Sequence, residues 1–87
     1  HFEIFEKCYG EFENKTFQFS NFSAVFDILK KKKVIHNIVG HKVFREFLKV
    51  YSNGKIDLKP FKSPNENSKS PRYFIVNEFI SGIYKTQ

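Results

Sequence analysis

From residue 21 onward the apolar positions of this 87-residue chain fall into helical steps. Phe22, Val25, Phe26 and Leu29 recur at intervals of three and four, and Ser20-Asn21 precedes them. Residues so spaced share one face of an α-helix, and Ser or Asn ahead of the first is a capping signal. The spacing predicts a helix over about 21–32. Val34 to Asn37 reads as a connection. Val39, Val43, Phe44, Phe47, Leu48 and Tyr51 then predict a second helix over about 38–51, closed by Ser52-Asn53-Gly54. In FEIFEKCYGEF, Phe2, Phe5, Tyr9 and Phe12 fit a helix that stops near Gly10, while Phe2 and Ile4 alternate as in a strand.

Two stretches alternate instead. In EFENKTFQF, residues 11–19, Phe17 and Phe19 face one way and Thr16 and Gln18 the other, around an Asn14-Lys15 turn; this predicts a β-hairpin. In KIDLKPF, residues 55–61, Ile56 and Leu58 alternate with charges ahead of Pro60, which predicts a short edge strand. Residues 62–71 read as a polar loop with two Ser-Pro steps, at Ser63 and Ser70. For YFIVNEFISGIY, residues 73–84, Ser70 as cap and Pro71 at the first position suggest a helix, and Tyr73 to Val76 also fit a strand. Together these elements predict an α+β fold, with short strands packed on three or four helices. The length predicts a single domain at most over residues 1–87, and the start at His1 without a Met reads as a processed product or a fragment of a larger fold.

Charge sharpens the picture. The formal net charge is +6, unevenly placed. Residues 1–27 carry −3, residues 28–62 carry +8 and residues 63–87 carry +1. A local excess of this size favours a polyanionic partner: DNA, RNA or an acidic membrane surface. Lys30, Lys31, Lys32 and Lys33 form one candidate phosphate clamp, although cations at a helix C-terminus also complement the helix dipole. Lys42, Arg45 and Lys49 recur at three and four and form a second, a basic helix face opposite an apolar one. Tyr9, Phe17 and Phe19 could stack on bases, but with 12 Phe in the chain most must be core.

Candidate catalytic chemistry is sparse. The single Cys8 allows no intrachain disulfide and reads as a structural thiol in a reducing compartment. His1, His36 and His41 have no partners at metal-ligand spacing, so no metal or cofactor is expected. The four glycines are isolated, which excludes a phosphate-binding loop of the glycine-rich kind. No apolar run reaches the roughly 20 residues of a membrane span, and the chain reads as soluble and intracellular, with the compartment left open and an organelle or the nucleus among the options.

The segments IFEKCYGEF, KTFQFSN, FSAVFDILKKKKVI and GHKVFREFLKVY resemble, in that order, the second half of a LAGLIDADG homing-endonuclease repeat. The resemblance implies helix, Gly, hairpin, helix, connection, helix, with DNA contacts on the hairpin and Lys42 near the border of the active site. Ile80, Ser81, Gly82 and Ile83 resemble the family's name motif, whose small residues let two helices approach closely. Gln87 stands where that motif ends in a metal-binding acid, and a neutral amide is a poor Mg²⁺ ligand. The resemblance therefore implies a non-catalytic relative. GHKVFREFL is also similar to the stretch of RGS domains in which a Gly precedes Phe and Phe-Leu, a fold that is all helical and longer than this chain.

The resulting expectation is a nucleic-acid-binding module that grips the phosphate backbone, for instance within an organellar ribonucleoprotein. The residues leave enzymatic activity undecided and weigh against it. The alternative is a protein-interaction domain, in which the acidic first third and basic middle pair with a partner or with a second copy.

Overall fold

The computed structural model describes residues 2–60 and 71–85. Its elements are four α-helices: α1 Phe2–Phe12, α2 Gln18–Lys31, α3 His41–Tyr51 and α4 Pro71–Lys85. There is no strand among the described residues, so the α+β expectation is corrected to an all-helical fold.

α2 is the centre. Every residue from Asn21 to Leu29 is buried, so its whole circumference is covered. A helix buried all round must satisfy its polar side chains inside the protein. Asn21 Nδ2 donates to Thr16 O at 3.1 Å, and Asn21 Oδ1 accepts from Arg72 Nε of α4 at 2.9 Å. Ser23 Oγ donates to Ser20 O at 3.1 Å. Buried Asp27 sits 3.1 Å from Lys31 Nζ, an ion pair rather than an aligned hydrogen bond.

The other helices pack around it. α1 buries Ile4, Phe5, Cys8 and Phe12, and α4 buries Val76, Ile80 and Ile83. Phe12 meets Phe79 of α4 edge to face at 5.5 Å. α3 buries only Phe44 and Leu48 completely and is fastened by rings. Phe5 touches Phe44, Phe47 and Tyr51 at centroid distances of 6.2, 5.3 and 5.3 Å, and Phe26 of α2 meets Phe44 at 4.9 Å. Edge-on and tilted ring pairs at these separations add to the energy of burial.

The turns explain where the alternating patterns mislead. α1 runs through Gly10 to Phe12, so that glycine is no stop, and the strand reading of Phe2 and Ile4 is excluded. The expected hairpin over 11–19 is absent. Glu13 N–H donates to Tyr9 O and Lys15 N–H to Phe12 O, and a turn leads straight into α2. Phe17 takes the left-handed conformation at φ 63°, immediately before the helix. Phe17 and Phe19 are solvent-exposed, so their alternation reports no buried face. Residues 56–60 belong to no helix or strand, so the expected edge strand is absent. Ile56 and Leu58 do point inward, and Ile56 N–H donates to Ser52 Oγ at 3.0 Å in place of a ladder bond.

Both inner helices end in Schellman-type stops. Val34 N–H donates to Leu29 O and Lys33 N–H to Lys30 O, with Lys33 at φ 62°. Gly54 N–H donates to Lys49 O and Asn53 N–H to Val50 O, with Asn53 at φ 55° and Gly54 at φ 82°. α3 starts at His41, not at 38. Residues 73–84 are helical throughout, which removes their strand reading. Pro71 opens α4, but Ser70 and residues 62–70 of the expected polar loop lie outside the described residues. A Cβ added at Gly82 would meet no atom within 4 Å, so Gly82 marks no close helix approach.

Candidate functional site

The basic residues singled out in the sequence do not form one surface. Successive helical residues point about 100° apart, so Lys30 to Lys33 fan out around the end of α2. Lys30 Nζ lies 5.2 Å from the centre of the Phe26 ring, on the α3 side. Lys31 Nζ faces α4, where it donates to the Tyr73 hydroxyl at 3.1 Å and pairs with Asp27. The Tyr73 bond, and then Asp27, hold the Lys31 ammonium above its ordinary pKa. Lys32 Nζ sits 4.9 Å over the Tyr84 ring. Lys33 is exposed, and its side chain has no hydrogen bond, ion pair or ring contact among the described residues.

On α3, Lys42, Arg45 and Lys49 do share one flank, within about 60° around the helix. They are not equivalent. Lys42 is exposed and unpaired among the described residues. Arg45 is half-buried, and its Nε is fully buried without a hydrogen-bond partner among them. Lys49 pairs with Asp57 at 3.5 Å. Asp57 lines a second, polar cleft together with Gln18 and Phe19 at the start of α2. α2 has 14 residues and so spans roughly 20 Å. Lys49 therefore stands at the opposite end of the bundle from Lys30–Lys33.

No group of three or more metal-binding side chains occurs among the described residues. His36 lies in the α2–α3 connection, where its Nδ1 accepts from Ile38 N–H at 3.2 Å. Cys8 is fully buried, and burial pushes its thiol up to about 12, which makes it unreactive at neutral pH. No helix is long and apolar enough to cross a membrane, among the described residues.

What sequence reasoning missed is an open groove of about 360 Å³. Its walls are Phe2 and Phe5 of α1, Val43, Phe44 and Phe47 of α3, and Val34, Ile35 and Val39 of the connection. Every lining residue is apolar. Phe5 and Phe44 form the buried floor, whereas Phe2 and Val43 are more than half exposed. The groove exists because α3 is wide in apolar positions but has too few neighbours. Phe44 and Leu48 occupy the core side, and Val43 and Phe47, about 40° apart around the helix, are left on one flank. The basic flank of Lys42, Arg45 and Lys49 is on the other side. The only sequence signal was the cluster Val34, Ile35 and Val39, too apolar for an ordinary connection. No protein-family model, curated protein or solved structure matches the chain.

Proposed function

We propose that this domain is a protein-interaction module and that the groove between α1, α3 and the α2–α3 connection is where its partner docks. One observation carries the reading: a concave surface lined only by apolar side chains, with Phe2 and Val43 open to water. Apolar clefts of roughly 300–1,000 Å³ are the usual seats of ligands and of partner side chains. Two of the seven candidate phosphate contacts are paired with carboxylates of the same chain, Lys31 with Asp27 and Lys49 with Asp57, and this weakens the rival reading.

The test is a nitrogen-15 NMR titration of the chain with a model amphipathic helical peptide. Shifts concentrated at Phe2, Phe5, 34–39 and 43–47 are expected. Shifts absent there, or confined to Lys30–Lys33, would overturn the assignment of the groove.

A second reading keeps the polyanion partner. The +8 excess over residues 28–62 favours it, with Lys33 and Lys42 exposed and Lys30 and Lys32 resting only on ring faces. Fluorescence anisotropy with short labelled DNA and RNA at about 50 and about 200 mM salt tests it. Binding that falls steeply with salt and collapses when Lys30–Lys33 are all replaced by Gln supports it. No binding at the lower salt removes it.

A further inference from the structure

We propose that the polar cleft at the start of α2 binds a small phosphate monoester with an apolar body, its phosphate held by Lys55 and Lys59. The cleft is separate from the apolar groove and lies at the other end of α2 from Lys30–Lys33. It therefore stands independently of both readings above.

Charge selects the anion. The cleft measures about 530 Å³, and Lys55, Asp57, Leu58 and Lys59 line it together with Gln18 and Phe19. Ile56 and Leu58 are buried, which leaves Lys55, Asp57 and Lys59 exposed on the outer side of this segment. Neither lysine side chain has a hydrogen bond or ion pair among the described residues. Asp57 is the one acid among the described lining residues, and Lys49 already stands 3.5 Å from it. Three lysines thus share one carboxylate. The acids of the preceding turn do not make up the difference. Glu11 pairs with Lys15. Glu13, whose backbone carbonyl accepts from Gln18 Nε2 at 2.7 Å, turns its carboxylate to Tyr9; burial, and then that carboxylate, raise the Tyr9 pKa. The first turn of α2 holds no acid, and the positive end of the helix dipole adds to the lysines. An anion in the cleft offsets this excess, and a cation adds to it. A phosphate monoester carries about −1.5 to −2 at neutral pH, which matches two unpaired lysines better than a single carboxylate does.

Size sets the rest of the ligand. Clefts of roughly 300–1,000 Å³ suit a molecule larger than a bare ion. Phe19 and Leu58 add apolar surface to the wall, with the Phe19 ring 39% exposed. A flat apolar body can rest there while its phosphate meets the lysines.

Nitrogen-15 NMR titrations of the whole chain with phenyl phosphate, inorganic phosphate and benzoate, at about 50 mM salt, test the site. Phenyl phosphate is expected to bind most tightly, with shifts concentrated at 17–20 and 55–59. The double variant Lys55→Gln/Lys59→Gln, checked for folding by circular dichroism, should weaken it about tenfold. Asp57→Asn removes the competing carboxylate and should tighten it. Benzoate binding as tightly as phenyl phosphate overturns the choice of phosphate, and inorganic phosphate doing so overturns the apolar body. Shifts spread equally over Lys30–Lys33, or binding indifferent to the double variant, overturn the site itself. The groove residues are expected not to shift in any of these titrations, so the docking reading is tested separately.

Discussion

Phe5 is the side chain on which the attachment of α3 depends, and Phe5→Ala tests that directly. The ring is 5% exposed and contacts Phe2, Tyr9, Phe44, Phe47 and Tyr51, at centroid distances from 5.3 to 6.3 Å. Truncation of a buried Phe to Ala costs about 3–5 kcal/mol, as lost transfer energy plus the cavity left behind. The upper half applies here, because the neighbours are themselves rings held in a mutual edge-on cluster and collapse poorly into the space. A domain of 87 residues has a total stability of roughly 4–13 kcal/mol. The variant is therefore expected to lose a large share of it. In urea, with a slope of about 1–3 kcal/mol per molar, a loss of about 4 kcal/mol moves the midpoint down by at least about 1 M. The measurement is urea unfolding followed by circular dichroism, paired with hydrogen exchange. Amides of α3 should lose protection first, since that helix has few other anchors. A destabilisation under about 1 kcal/mol, or α3 protection unchanged relative to α2, would refute the view that rings fasten this helix.

Two further outcomes follow from the same geometry. Lys33 occupies a left-handed position at φ 62°, where a side chain costs about 1–2 kcal/mol and glycine costs less; Lys33→Gly should be more stable than Lys33→Gln by about 0.5–1 kcal/mol in thermal or urea melts, and equal stability would remove the strain. Cys8 has a folded pKa raised to about 12 by burial, against about 8.5 for a free thiol. Its contribution is complete below about pH 8.5 and is lost as pH rises, because the unfolded thiol ionises first. Wild type should lose about 2 kcal/mol more than Cys8→Ala between pH 8 and 10, measured by urea unfolding, and parallel pH profiles would contradict the burial of the thiol.

Much of the helical content was legible in the chain. The three- and four-residue spacing of Phe22, Val25, Phe26 and Leu29, and of Phe44, Leu48 and Tyr51, is long enough to specify a helix by itself. Asn53-Gly54 marked the end of α3 because only such residues turn left-handed cheaply, and Pro71 marked the start of α4. The concentration of positive charge in residues 28–62 was equally fixed by composition. Alternation was less informative. Ile56 and Leu58 alternate because both face the core, but a strand needs a second strand to share its hydrogen bonds, and no short pattern states whether one is there. Phe17 and Phe19 alternate by coincidence, at the entry of α2.

Only the tertiary structure decided which charges remain free and where apolar surface remains open. The Asp27–Lys31 spacing permits an ion pair on any helix, but its strength depends on the burial of Asp27 and on Tyr73, which lies 42 positions away from Lys31. Lys49 and Asp57 meet because the chain folds back after α3. The groove is more strongly collective still, since its walls come from residues 2–5, 34–39 and 43–47. Each segment alone reads as ordinary core. Periodicity reports which way a side chain points on its own helix; whether another helix arrives to cover it is set by the packing of the whole bundle, and on this flank of α3 the rings of α1 reach Phe47 while Val43 stays more than half exposed.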